Sequence, residues 1–154
     1  MLDLTRFIRP GDGLWWGQRR VLMREDPPSA WFMVDELSLY RCVGSPQTMA
    51  EQMSRLIEVA AEPLVTVTVM PAVTHPANAS AFIIAGDSAA YAEHMAGGFT
   101  YTEDETVSAL AVRFDMLRGE CYRVSESLAL IREMRELWKA GVSPLTRAAT
   151  GGTA

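Results

Sequence analysis

The segment LVTVTVM, residues 64–70, narrows the fold more than any other part of the sequence, because valine and threonine alternate in it without a break. β-branched side chains favour extended backbone, and a period of two places the valines on one face of a strand and the threonines on the other. The alternation therefore predicts a half-buried strand with its valines toward the core.

Two further stretches also indicate strands. AWFMVDE, residues 30–36, is an apolar run bounded by prolines, which is typical of a buried strand. SAFIIAG and AAYAEHM flank the turn residues Gly86-Asp87-Ser88 and predict a β-hairpin. Gly97-Gly98 is expected to break the second hairpin strand, after which FTY continues the sheet.

Helical patterns lie between and after these strands. Ser45 and Pro46 predict an N-cap and a first helical position, and Pro63 ends that helix. TEDE, residues 102–105, fits a capping box for a second helix, and Ser125 is expected to cap the last one. An earlier helix is predicted from Leu14 to Arg24, before Pro27-Pro28.

Together these elements predict an α+β fold in a single domain, with a mainly antiparallel sheet and helices packed on it. We expect residues 1–13 to form a short lead, residues 14–140 the domain, and residues 141–154 a flexible tail. A chain of 154 residues is long enough to bury an ordinary core.

The net charge of −5 argues against nucleic-acid binding by this chain alone, since that affinity comes mainly from lysine and arginine. Cys42 and Cys121 match no metal or redox spacing and are expected to be buried, reduced thiols. No signal-peptide or transmembrane pattern is found, so we expect a cytoplasmic protein that does not bind membranes. No metal site and no cofactor is predicted.

The order of several motifs is similar to that of a known family. The run from REDPPSAWFMVDELSLYRCVGSP to EPLVTVTVMP, followed by AYAEHMAGGFTYTEDE, RFDMLR and SESLALI, resembles the actinobacterial domain of unknown function 5753 over about residues 19–138. In that family the domain normally follows a helix-turn-helix DNA-binding domain, in regulators related to xenobiotic-response-element proteins and described as antitoxin-like. The resemblance implies effector sensing or protein contacts and supplies no catalytic residues.

The beginning of the sequence departs from that family. Only MLDLTRFIRPGDG precedes the first matching helix, and this helix holds Trp15 and Trp16 where relatives tend to be polar and arginine-rich. Neighbouring helical residues lie about 100° apart, so the two indoles cannot face the same way. Packing within the chain, a subunit interface and stacking on a ligand all remain open. Arg19 and Arg20 could hold an anion, although solvated charges are the simpler interpretation.

Two other groups of residues could carry chemistry. Asp35 and Glu36 end a predicted buried strand, where a carboxyl group can become a general acid; pairing with Arg41 is the favoured alternative. Tyr91 and Glu93 share one face of the second hairpin strand and could transfer a proton, unless Glu93 faces solvent. His94 lies on the other face as a residue that could bind a ligand.

Two functions follow from these patterns. The first is a stand-alone accessory domain that binds a partner protein, a small effector or a second copy of itself, for example by pairing with a full-length regulator. The second is a small enzyme for a cyclisation, isomerisation or dehydration. It would use Glu93, Asp35 or Glu36 as acid or base, Tyr91 as donor and a tryptophan as stacking wall.

Overall fold

The computed structural model describes residue 25 and residues 29–72, 81–94 and 97–145, with only the backbone of Glu93 and His94. Helices and strands are interspersed in one small domain, which confirms the α+β fold. The helix predicted over residues 14–24 lies outside the described residues. In chain order the elements are β1 (Ala30–Asp35), α1 (Glu36–Tyr40), α2 (Pro46–Val59), β2 (Val65–Met70), β3 (Phe82–Ala85), β4 (Ala89–His94), β5 (Gly97–Tyr101), α3 (Asp104–Glu120) and α4 (Val124–Lys139).

The strands form two sheets. β3, β4 and β5 form the predicted antiparallel sheet, with Phe82 opposite Ala92 and Ala92 opposite Phe99. β1 and β2 form a separate parallel pair, in which Ala30 lies opposite Val65. Parallel neighbours need a long crossover, which α1 and α2 provide here. Residue periodicity predicts each strand but does not reveal this pairing.

Over residues 67–70, β2 is buried on both faces, so the prediction of a half-buried strand is wrong for this part of it. Val67 and Val69 are buried as expected, but Thr68 is only 2% exposed. Its hydroxyl accepts a hydrogen bond from Trp31 Nε1 at 2.9 Å, which satisfies the polar group away from water. At Thr68 the threonine face is therefore covered by protein rather than open to solvent.

The larger core lies between the parallel pair and helices α2 and α4. Trp138 of α4 is fully enclosed, and its Nε1 donates to the Leu39 carbonyl at 2.9 Å. Ser127 Oγ accepts from the Val69 amide at 2.9 Å and so ties α4 to β2. The buried members of this core are Val34, Leu39, Met49, Ala50, Met53, Val67, Val69, Ile131, Met134 and Trp138.

A second core lies on the opposite face of the parallel pair. Met33 and Met70 alternate with the residues of the first core and pack with Phe82 of β3 and Leu117 of α3. Phe114 is packed against the same cluster. One face of α3 therefore belongs to the core.

The helix starts are only partly as predicted. Ser45 Oγ accepts from the Thr48 amide at 3.1 Å, which confirms this N-cap. The capping box at residues 102–105 is wrong, because Glu103 is the cap residue and its own carboxylate accepts from the Thr102 amide. Ser125 is not a cap either: α4 begins at Val124, since Glu126 reaches back to the Arg123 amide at 3.0 Å.

The predicted hairpin is confirmed, and Gly86 at its turn has a φ of +62°, which glycine adopts without strain. The second hairpin strand, β4, ends at His94, and Gly97-Gly98 begin β5, so these glycines belong to the next strand. The Tyr91 ring lies against Gly98, where an added Cβ would come within 1.9 Å of the phenol oxygen. Glycine at position 98 therefore makes room for the neighbouring tyrosine.

Candidate functional site

Glu36 is a carboxylate that the sequence singles out and that is buried in the described part of the chain. It begins α1, directly after β1, of which Met33 and Val34 are buried, and is 9% exposed. The Tyr40 hydroxyl donates to Oε1, while Oε2 accepts from the Ala72 amide at 2.7 Å and from the Tyr122 hydroxyl at 3.2 Å. This Glu36 cluster joins β1, the end of β2 and the link between α3 and α4.

The two phenols of the Glu36 cluster are hydrogen-bond donors. Burial raises the pKa of Tyr40, and its hydrogen bond to Glu36 raises it further. Burial also raises the pKa of Tyr122, followed by the negative charge of Glu36. Both hydroxyls therefore keep their protons at neutral pH. A carboxylate that already accepts three hydrogen bonds is well suited to holding chain segments together.

The predicted pairing of the two carboxylates with Arg41 is wrong. Asp35 caps α1 instead, accepting from the Leu37 amide at 2.8 Å. Glu36 is occupied by its three donors, and Arg41 is an exposed residue that follows α1. A short helix directly after the strand turns the two carboxylates toward its own backbone and toward the interior.

The other acid–base residues lie on the antiparallel sheet. Tyr91 is half-buried and opposes Thr100, while Glu93 and His94 pair through their backbones with Gly98 and Gly97. Asp35 and Glu36 belong to the other sheet and its following helix. No hydrogen bond or ion pair among the described side chains joins Tyr91 to the Glu36 cluster. Trp15, Trp16 and Arg19 lie outside the described residues.

The two cysteines are free, and Cys42 is exposed rather than buried because it lies in the surface link between α1 and α2. Burial raises the pKa of the Cys121 thiol. Among the described residues, no three histidine, cysteine or acidic side chains gather in a way that could hold a metal ion. No helix in this part of the chain is long and apolar enough to cross a membrane.

The outer face of α3 exposes two large apolar side chains on one stretch of helix. Val112 is 61% exposed and Met116 is 56% exposed, one helical turn apart. Ala109 and Gly119 extend the same stripe and are also exposed. We call these four residues the α3 stripe. The opposite side of the helix carries Val107 and Leu117, both buried, so α3 is apolar on two sides.

Trp31 and Arg118 lie at the carboxyl end of α3. Trp31 is 39% exposed, and the Arg118 guanidinium carbon lies 5.1 Å from the centre of its ring. Arg118 also pairs with Asp115 at 3.1 Å. The cation–π contact connects the start of β1 with the end of the helix that carries the α3 stripe.

The sequence analysis did not find the α3 stripe or the two tyrosine partners of Glu36, although the stripe and Tyr40 each had a partial signal. Tyr40 stands four residues after Glu36, a spacing that makes helical neighbours. Ala109, Val112 and Met116 alternate with a second apolar set, which indicates a helix that is apolar on two sides. Tyr122 lies 86 residues from Glu36 in sequence, and no local pattern indicates that contact.

A family model described as "Domain of unknown function (DUF5753)" matches residues 16–133, more than half of the chain. The chain belongs to the DUF5753 family. The match includes β1 to β5, α1 to α3 and most of α4, so the DUF5753 domain contains both the Glu36 cluster and the α3 stripe. It also includes Trp16 and the residues that follow it. No curated protein and no solved structure matches the chain.

Proposed function

We propose that this DUF5753 domain is a non-catalytic protein-contact module, and that the α3 stripe is its contact surface. The observation that carries the proposal is the exposure of Val112 and Met116 on a helix whose other side is already in the core. When two opposite sides of a helix carry apolar residues, other protein surfaces are expected to cover both sides. Burying one such side chain contributes about 1.5–3 kcal/mol.

The charges around the stripe favour a basic partner. α3 carries four acidic and two basic side chains, and Glu105 and Glu120 lie near the two ends of the stripe. The whole chain has a net charge of −5. An amphipathic helix with an apolar face and arginines or lysines at its margins would match both properties.

The accessory role agrees with what the family resemblance implies. A regulator that carries a DUF5753 domain would be such a partner where it also presents a basic amphipathic helix to the stripe. A cytoplasmic location is part of the proposal and agrees with the free, exposed Cys42.

Photo-crosslinking tests the proposed surface. A photoreactive amino acid is placed at Met116 of the full chain in the cells that make the protein, and the adducts are identified by peptide sequencing. Leu64 is the matched control position, since it is 48% exposed and lies in the turn before β2. We expect one defined protein to be attached at position 116 and not at position 64.

Reconstitution completes the test. The identified protein is purified and titrated with the wild-type chain, with Val112→Asp and with Leu64→Asp. We expect Val112→Asp to weaken binding at least about tenfold, because a charge replaces an apolar contact at the centre of the interface. Unchanged binding by Val112→Asp, or attachment of small molecules only, contradicts a protein-contact function at this surface.

A further inference from the structure

Gly119 is the member of the α3 stripe that the fold itself does not explain. It lies in the last turn of α3, which ends at Glu120, and its φ is not positive. Glycine makes a helix less stable than alanine does, because glycine loses more conformational freedom on folding. A Cβ added at position 119 would have no described atom within 4 Å. Neither the backbone conformation nor crowding within the described chain therefore requires glycine here.

Two other glycines differ from Gly119 in this respect. Gly98 makes room for the Tyr91 ring, and Gly86 has the positive φ of a hairpin turn. Glycine has a third use in proteins, which is to let a separate backbone or ligand approach closely. At Gly119 this is the use that the helical backbone and the open space leave.

The neighbours of Gly119 on the stripe are the two exposed large apolar side chains. Met116 lies three residues and Val112 seven residues before it, so the three share one side of α3. Gly119 and Val112 are about 10 Å apart along the helix axis. The surface is therefore low at its carboxyl end and raised by valine and methionine further back. This shape matches a second helix that crosses α3 most closely at Gly119.

Glu120 adds a negative charge beside the closest point of that crossing. It is exposed and follows Gly119 directly. Asp115, by contrast, already pairs with Arg118 at 3.1 Å. A lysine or arginine at the margin of the second helix would complement Glu120.

We propose that Gly119 determines which partner fits the α3 stripe, and that this partner is an amphipathic helix with basic margins whose backbone crosses α3 most closely at Gly119. The inference rests on the proposed function, because it specifies the partner of the same surface. Glycine is unfavourable for α3 alone but leaves room for the close crossing. Gly119 is thus a specificity-determining residue, since any side chain there holds the two backbones apart.

Gly119→Ala tests both effects of this glycine in one variant. Its unfolding in urea is measured without the partner, and its binding to the protein crosslinked at position 116 is titrated. We expect the urea midpoint to rise, because alanine favours the helix. We expect binding to weaken at least about fivefold, because the added methyl group overpacks the closest contact. Ala129→Leu is the control, since it adds bulk at an exposed position of α4 and should leave binding unchanged.

The spacing of crosslinks tests the kind of partner. Photoreactive amino acids at positions 112 and 116 should attach to partner residues about three or four positions apart, which is the spacing of neighbours on a helix. Attachment to alternate residues would identify an extended strand and so contradict a helical partner. Attachment only within the same chain would mean that no partner occupies the stripe.

The two proposals fail in different ways. If Val112→Asp weakens binding and Gly119→Ala does not, only the close crossing at Gly119 is wrong. A lower urea midpoint of Gly119→Ala means that the fold itself needs glycine there, which also contradicts this inference alone. If neither variant weakens binding, or if position 116 attaches to no protein, both proposals are wrong.

Discussion

Charged side chains are usually exposed and large apolar side chains are usually buried. The Glu36 cluster and the α3 stripe are opposite exceptions to this rule. Glu36 is a charged residue type that is 9% exposed, whereas Met116 is an apolar residue that is 56% exposed. The buried carboxylate accepts three hydrogen bonds from three separate parts of the chain. The exposed methionine and Val112 leave most of their surface in water.

This difference indicates that the Glu36 cluster stabilises the fold, whereas the α3 stripe is available for binding. A buried carboxylate that accepts hydrogen bonds from neighbouring donors contributes to the stability of the fold. Removing one of the partners leaves a buried polar group without its hydrogen bond. An exposed apolar stripe contributes little to folding, but another surface can still cover it. We therefore expect substitutions in the Glu36 cluster to change the free energy of unfolding, and substitutions in the α3 stripe to change association.

Glu36→Ala should have the largest effect on stability. The change removes the acceptor of two hydroxyls and one amide, and we expect the free energy of unfolding to fall by about 3 kcal/mol. Urea denaturation measures the loss. Glu58→Ala is the control, because Glu58 pairs with Arg55 at an exposed position and should matter little. Similar small losses in both variants would contradict a structural role for Glu36.

Tyr40→Phe and Tyr122→Phe should rank next, and in that order. Among the described residues, the Tyr40 hydroxyl is the donor to Glu36 Oε1. The Tyr122 hydroxyl shares Glu36 Oε2 with the Ala72 amide. We expect losses of about 2 and about 1 kcal/mol, respectively, in the same urea measurement. Equal losses of unfolding free energy in the two variants would show that the Ala72 amide does not compensate for the missing Tyr122 hydroxyl at Glu36 Oε2.

Alkaline pH should weaken the Glu36 cluster through the same phenols. Both hold their protons more tightly in the folded chain than in the unfolded chain, because their pKa values are raised. Their contribution is fully present below pH about 10 and is lost as the pH rises through the folded-state pKa values. Urea denaturation from pH 8 to pH 11 should show a smaller decline for the double variant Tyr40→Phe/Tyr122→Phe than for the wild type.

Much of the fold is predictable because it depends on local patterns. The alternation at residues 64–70, the turn at Gly86 and the Ser45-Pro46 helix start each act over a few residues. The parallel partner of β2 and the contact of Tyr122 with Glu36 depend on residues far apart in sequence. The wrong helix caps have a different cause, because several acceptors compete within a few residues. Glu103 accepts from the Thr102 amide and Glu126 accepts from the Arg123 amide, and the two helices begin at residues other than those predicted.

The candidate site was less predictable than the fold. Glu36 was singled out because it ends a buried strand, but its partners came from the tertiary packing and replaced the expected Arg41. The α3 stripe was visible as apolar residues on both sides of one helix. Sequence patterns alone cannot tell which side the core will cover, because both have helical spacing. Here Leu117 and Val107 face the core, and Val112 and Met116 remain outside.

Arg118→Gln should have the smallest effect and so sharpens the contrast between the two regions. Its guanidinium contacts Trp31 and pairs with Asp115, but its side chain is 45% exposed. We expect a loss of under about 1 kcal/mol in urea denaturation, similar to that of the exposed control Arg55→Gln. A loss as large as that of Glu36→Ala would mean that this end of α3 holds the fold together. The carboxyl end of α3, which borders the α3 stripe, would then serve the stability of the fold rather than binding.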